Sequence, residues 1–128
     1  MTDYEIRKLT RGLFTKEELK CRCGICSGEC DMNPRFLERL AIFRLIYGVP
    51  FTPNSAYRCP KHPLVSKNHI GYAVDIPCRS SNDRWKIVNA AIKAEFTRIG
   101  LGKDFVHIDC TPEYMFKETT KQLIWVYP

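Results

Sequence analysis

Residues able to hold a metal ion and activate water are gathered in two stretches of this 128-residue chain. The first is Ser55 to Asp75, SAYRCPKHPLVSKNHIGYAVD, and it is answered further on by DFVHID from Asp104 to Asp109. Together they contain all three histidines, with Arg58, Asp75, Asp104 and Asp109. Two histidines and one aspartate leave a fourth position on zinc for water, the open coordination that separates catalytic from structural sites. Zinc lowers the pKa of that water to about 7, so hydroxide is available at neutral pH. A nearby carboxylate can take the proton and pass it to a leaving amine. An arginine suits a substrate carboxylate or a developing oxyanion. This is the composition of a metal-assisted hydrolase site.

These side chains need elements to position them. Tyr72 to Ile76 alternates as a strand, with Tyr72, Val74 and Ile76 on one face and Ala73 and Asp75 on the other. In FVHIDC the same period puts Phe105, His107 and Asp109 on one face, where Asp109 can point into a site or accept the proton of the imidazole's second nitrogen. Asp104 faces away on a regular strand and joins His107 only if the chain bends at Gly102-Lys103. Thr15 and Glu18 form a capping-box pattern that opens a short helix. Asn33-Pro34 starts a long helix whose Phe36, Leu40, Phe43 and Tyr47 trace one face, widened by Leu37, Ala41 and Leu45 and closed by Gly48. A second long helix follows the cap residues Ser80 to Asp83, with Trp85, Val88, Ile92 and Phe96 at helical spacing. Short strands are expected at Val49–Thr52, Thr97–Gly100, Phe105–Cys110 and Leu123–Tyr127. The fold class is α+β, a small mostly antiparallel sheet flanked by two main helices, and the length fits a single domain over residues 1–128.

Composition narrows the functions. No apolar run reaches the length of a membrane span, and the N-terminus lacks a secretory signal, so synthesis in a cytoplasm is expected. The net charge of +6 favours an anionic partner, but the basic residues are scattered. Nucleic-acid binding through the cysteine loop would use clustered basic and aromatic residues, which the chain lacks. Seven cysteines cannot all pair within one chain. Four of them, Cys21, Cys23, Cys26 and Cys30, lie in a turning loop with Gly24 and Gly28. They form an alternative structural metal site, cramped for four ligands, or else remain buried or free thiols.

Ordered along the chain, SAYRCP, SKNHIGYAVD, SSNDRW, EFTRIG and DFVHID resemble the motifs of the zinc D-alanyl-D-alanine carboxypeptidase family, peptidase M15, in its short phage and bacterial branch. KCRCGIC and NPRFLERLAIFRLIYG resemble that family's N-terminal part, so the likeness spans roughly residues 14 to 112. The resemblance implies a hedgehog/DD-peptidase-like fold holding one catalytic zinc. Asp75 and His107 match metal ligands, Asp104 the acidic general base, and Arg58 the arginine facing the substrate or oxyanion. Ala56 replaces a glycine usual after the motif serine.

The first ligand departs from the pattern. The family's histidine lies seven residues before its aspartate, where this chain has Asn68, and His69 sits one position later. Either a residue is deleted between Ile70 and Gly71 and His69 binds through an altered loop, or the ligand is lost. His69 is the better fit, because a loop takes up such a shift and an amide is a poor zinc ligand. His62, between prolines, reads as a surface loop residue and a fallback ligand. The function implied is a zinc-dependent peptidoglycan peptidase acting on stem peptides, as a D,D-carboxypeptidase or an endopeptidase. It would be monomeric, phage-encoded and endolysin-like, with no nucleic-acid or membrane partner. The alternative is a catalytically inactive member serving as a cell-wall or partner-binding module.

Overall fold

Capping boxes start the first two helices. Thr2 and Glu5 exchange side-chain and backbone hydrogen bonds at the head of α1 (Asp3–Leu9), and Thr15 and Glu18 do the same for α2 (Lys16–Leu19). The computed structural model describes residues 1–66, 68–112 and 122–128. A hydrogen bond from the Lys16 N–H to Asp3 Oδ1, 2.8 Å, ties the two helices together. Helix α1 is an addition to the sequence-based elements, although Thr2-x-x-Glu5 carries the same signal as the second box.

Helix α3 (Pro34–Tyr47) has the expected ends. Asn33 Oδ1 accepts the Phe36 N–H at 3.0 Å, and Gly48 takes the left-handed conformation that ends the helix. Phe36, Leu37, Leu40, Ala41 and Phe43 are buried, whereas Leu45 points to solvent. The Phe43 ring packs against Phe51 and Phe96.

Helix α4 (Ser81–Lys93) also starts where expected, with Ser80 Oγ accepting the Asp83 N–H at 3.0 Å. Its buried face differs from the one inferred from spacing. Ile87, Ala90 and Ala91 face the core, while Trp85 and Ile92 are 66% and 56% exposed. The small Ala90 and Ala91 let the helix backbone approach its neighbours, so the bulkier residues end up on the outer side.

Among the described residues four strands form one sheet: β1 (Ala73–Pro77), β2 (Arg98–Leu101), β3 (Phe105–Asp109) and β4 (Leu123–Val126), in the order β1-β3-β2-β4. Strand β3 pairs antiparallel with both β1 and β2. Strand β4 runs parallel to β2, so the α+β sheet is mixed. Val49–Thr52 forms no strand. Pro50 and Pro53 lack the N–H groups a ladder needs, and pairing begins only after them, at the bridge between Ser55 and Asp75.

Alternation divides the sheet into two faces. Val74, Ile76, Ile99, Val106 and Ile108 join Phe36, Leu40, Phe43 and Ile87 in the core. The other face carries Asp75, Arg98, His107 and Asp109, with Trp125 leaning on the His107 ring at 5.5 Å between centroids. Gly100 has to be small there, since a Cβ would come within 2.8 Å of Trp125 and Tyr127 ring atoms.

Candidate metal centre

The sheet register places the first two members of the site side by side. Asp75 on β1 is directly opposite His107 on β3, and both point to the face away from the helices. Asp75 Oδ1 lies 2.9 Å from His107 Nδ1. The other ring nitrogen, Nε2, lies 2.7 Å from Asp109 Oδ2. Asp109 is fully buried, and its Oδ1 also accepts hydrogen bonds from Arg98 Nε (2.9 Å) and the Thr111 N–H (3.0 Å). This carboxylate is therefore fixed by three donors, and it fixes the imidazole in turn.

His69 comes from the loop that leads into β1, and Lys67 within that loop lies outside the described residues. The loop is anchored at several points. The Tyr72 N–H reaches the Asn68 carbonyl at 3.1 Å, the Arg58 N–H reaches the His69 carbonyl at 2.7 Å, and the Asn33 N–H reaches the Gly71 carbonyl at 3.0 Å. Gly71 makes that last approach possible: at φ +121° a Cβ would sit 2.8 Å from the Asp31 carbonyl oxygen. The His69 ring is buried, and its Nδ1 lies 2.7 Å from the Ala56 carbonyl, which can only accept. Nδ1 thus carries a proton, and Nε2 faces the Asp75 carboxylate, 3.6 Å from Oδ2.

His69, Asp75 and His107 each offer a ligand atom, all within 4.8 Å of one another. Asn68 is turned elsewhere, its Oδ1 accepting the Thr111 hydroxyl at 2.9 Å. His62 stays in its own turn, where its Nδ1 accepts the Leu64 N–H at 2.9 Å. The displaced histidine is therefore the one that the loop brings to the cluster.

Electrostatics follow from the contacts. Burial alone would raise the pKa of Asp75, but the hydrogen bond from His107 and the closeness of the His69 ring outweigh it and hold the carboxyl well below the usual range. Burial likewise opposes the charge on Asp109, and His107, the Thr111 N–H and Arg98 overcome it. Burial would lower the pKa of His107, yet its two carboxylate partners raise it. The pocket thus favours a positive charge between Asp75 and the rings.

Arg58 borders this group. Its Nη2 is 3.8 Å from Asp75 Oδ2, while Nε donates to Ser55 Oγ at 3.1 Å and Nη1 to the Leu64 carbonyl at 2.9 Å. A hollow of about 80 Å³ beside it is lined in part by Arg22, Ser55, Arg58 and His62. Asp104 is exposed at the mouth of β3, its carbonyl accepting the Cys78 N–H at 2.9 Å. A larger hollow of about 340 Å³, lined by Ile92, Phe96, Ile99 and Ile124 among others, holds none of these residues.

Cys30 stands apart from the other three cysteines of its loop. It is packed in the hydrophobic core, where burial pushes its thiol up to about 11, and Cys59 takes its place beside Cys21, Cys23 and Cys26. Sequence reasoning also passed over Arg98 and the Ala56 carbonyl. Arg98 is readable in principle, because strand alternation puts it on the face of Gly100, opposite Asp109 in the ladder. The Ala56 carbonyl has no side-chain signal.

A family profile described as Peptidase M15 matches residues 12–109. No curated protein and no solved structure matches the chain.

Proposed function

Because the chain belongs to the peptidase M15 family, we propose that it is a zinc-dependent peptidoglycan peptidase of the endolysin kind, a D,D-carboxypeptidase or stem-peptide endopeptidase. The observation that carries this reading is the arrangement of the two imidazoles. Each has its outward nitrogen occupied by an acceptor, Ala56 O for His69 and Asp109 Oδ2 for His107, while the inward nitrogens and the Asp75 carboxylate converge. Two neutral imidazoles and one carboxylate are the donor set of a catalytic zinc site with an open position, and outward acceptors of this kind orient such ligands. The residues present therefore fit zinc, which when bound would supply an activated water and polarise the scissile carbonyl.

The chain's own groups do the rest. Asp109, pinned by Arg98 and the Thr111 N–H, keeps the proton of His107 on Nε2 and so leaves Nδ1 for the metal. The Ala56 carbonyl does the same for His69, holding the Nδ1 proton and leaving Nε2 for the metal. Arg58 is held by Ser55 and the Leu64 carbonyl at the edge of the cluster, suited to a substrate carboxylate or a developing oxyanion. Asp104, three residues before His107 and open to solvent, is assigned the proton transfer from water to the leaving amine. The net charge of +6 would aid adhesion to anionic wall polymer.

Incubation of the zinc-loaded chain with isolated peptidoglycan tests the reading. Free amines or D-alanine should appear, and a chelator should stop their release. Absence of release with zinc supplied would overturn it.

A further inference from the structure

Four cysteine sulfurs converge beside the loop that carries Arg58, and none belongs to the imidazole site. Cys21, Cys23 and Cys26 come from the C-x-C-x-x-C stretch and Cys59 from SAYRCP, with all four Sγ atoms within 4.8 Å of one another. Cys23 Sγ is 3.7 Å from that of Cys26 and 3.6 Å from that of Cys59. Four sulfurs bound tetrahedrally at a Zn–S distance of about 2.3 Å are separated by about 3.8 Å. The observed spacing is close to that edge. All four thiols are free, and Cys21 and Cys59 are buried.

The backbone around them is shaped to receive negative sulfur. The N–H groups of Ile25 and Cys26 point at Cys23 Sγ from 3.3 and 3.4 Å, and that of Glu29 points at Cys26 Sγ from 3.4 Å. Hydrogen bonds of this kind favour the thiolate over the thiol. Gly24 and Gly28 adopt left-handed conformations that wind the loop tightly, and the Cys21 N–H closes it on the Glu29 carbonyl at 2.7 Å.

We propose that Cys21, Cys23, Cys26 and Cys59 form a second, closed zinc site that fastens the cysteine loop to the segment bearing Arg58. Four thiolates fill the coordination of zinc and leave no position for water, so the role is structural. Binding releases the protons of those thiols that still hold them and leaves the oxidation state of zinc and sulfur unchanged. The site has a direct line to the imidazole cluster. Cys59 follows Arg58 in the chain, the Arg58 N–H holds the His69 carbonyl at 2.7 Å, and the Tyr57 N–H holds the Leu19 carbonyl at 3.1 Å. Arg58 thereby acts from a segment tied at both ends.

Metal loading of the full chain tests this. Stripped and reloaded with zinc alone, the wild type should hold about two ions and His107→Ala about one. Loaded with cobalt(II) alone, the wild type should show strong thiolate-to-cobalt charge-transfer absorption in the near ultraviolet. That band reports on sulfur only, so failure of the imidazole site leaves it in place. Cys30→Ser should retain the band, and Cys59→Ser should lose most of it. A wild-type cobalt spectrum without the band, its loss in Cys30→Ser with retention in Cys59→Ser, or a disulfide among the four cysteines overturns the proposal.

Discussion

The imidazole cluster at the sheet and the sulfur cluster between the loop before α3 and SAYRCP both gather metal-ligating side chains, but they are held in different ways. Asp75 and His107 sit on paired strands, and each histidine is oriented by a partner that is itself fixed: the Ala56 carbonyl, or Asp109 with Arg98 behind it. Three of the sulfurs sit on a glycine-turned loop and the fourth, Cys59, on SAYRCP; backbone N–H groups point at Cys23 and Cys26, and Cys23 touches Cys59. Three protein ligands leave room for water, and four exclude it. The imidazoles are thus oriented by oxygen acceptors on their outer nitrogens, whereas the sulfurs of the loop are oriented by backbone donors. Ser55 to His69 joins them, with Arg58 between Cys59 and the imidazoles.

Substitutions can break this contrast at its strongest point first. His107→Ala removes a proposed ligand from a rigid site, and peptidoglycan hydrolysis should fall to background while the thiolate-to-cobalt band survives. Asp104→Asn should lower turnover by about 10² to 10⁴-fold. Zinc content should be unchanged, since Asp104 lies at the mouth of β3 outside the ligand cluster. Asp109→Asn keeps the shape but weakens the grip on His107 Nε2, and should cost about 10- to 100-fold in zinc affinity or activity.

The smallest effect is a pH dependence of stability, read by thermal unfolding of the chelator-treated chain. The folded pKa of His107 is raised, so its contribution is complete below about 6.5 and is lost as pH rises through the raised value. Those of Asp75 and Asp109 are lowered, so their contributions hold above about 3.9 and are lost as pH falls through the lowered values. Without metal the unfolding temperature should peak between about pH 4 and 6.5. Zinc competes with the proton on the imidazoles, so its stabilisation should grow as pH rises, shifting the optimum upward.

Local signals made much of this legible. Asn33-Pro34 and Gly48 mark α3 because caps act within a few residues, and the alternation in YAVDI and FVHIDC puts Asp75 and His107 on one sheet face because the strand period is two. The remainder depends on partners distant in sequence. The parallel pairing of β4 with β2 and the exposure of Trp85 and Ile92 on α4 are decided by tertiary packing. The exchange of Cys30 for Cys59 has the same origin. Spacing within the loop suggests four neighbours, but only the folded chain brings Cys59 across from SAYRCP and turns Cys30 into the core. His69 lies between these cases, since the one-residue shift is visible in the sequence and the Gly71 approach that accommodates it is not.

Anomalous scattering at the zinc absorption edge, from crystals of the zinc-loaded chain, tests the central claim most directly. A peak lying between His69 Nε2, the Asp75 carboxylate and His107 Nδ1 is the predicted result. No peak at that position, or one ligated by Asn68 with His69 turned away, would contradict it.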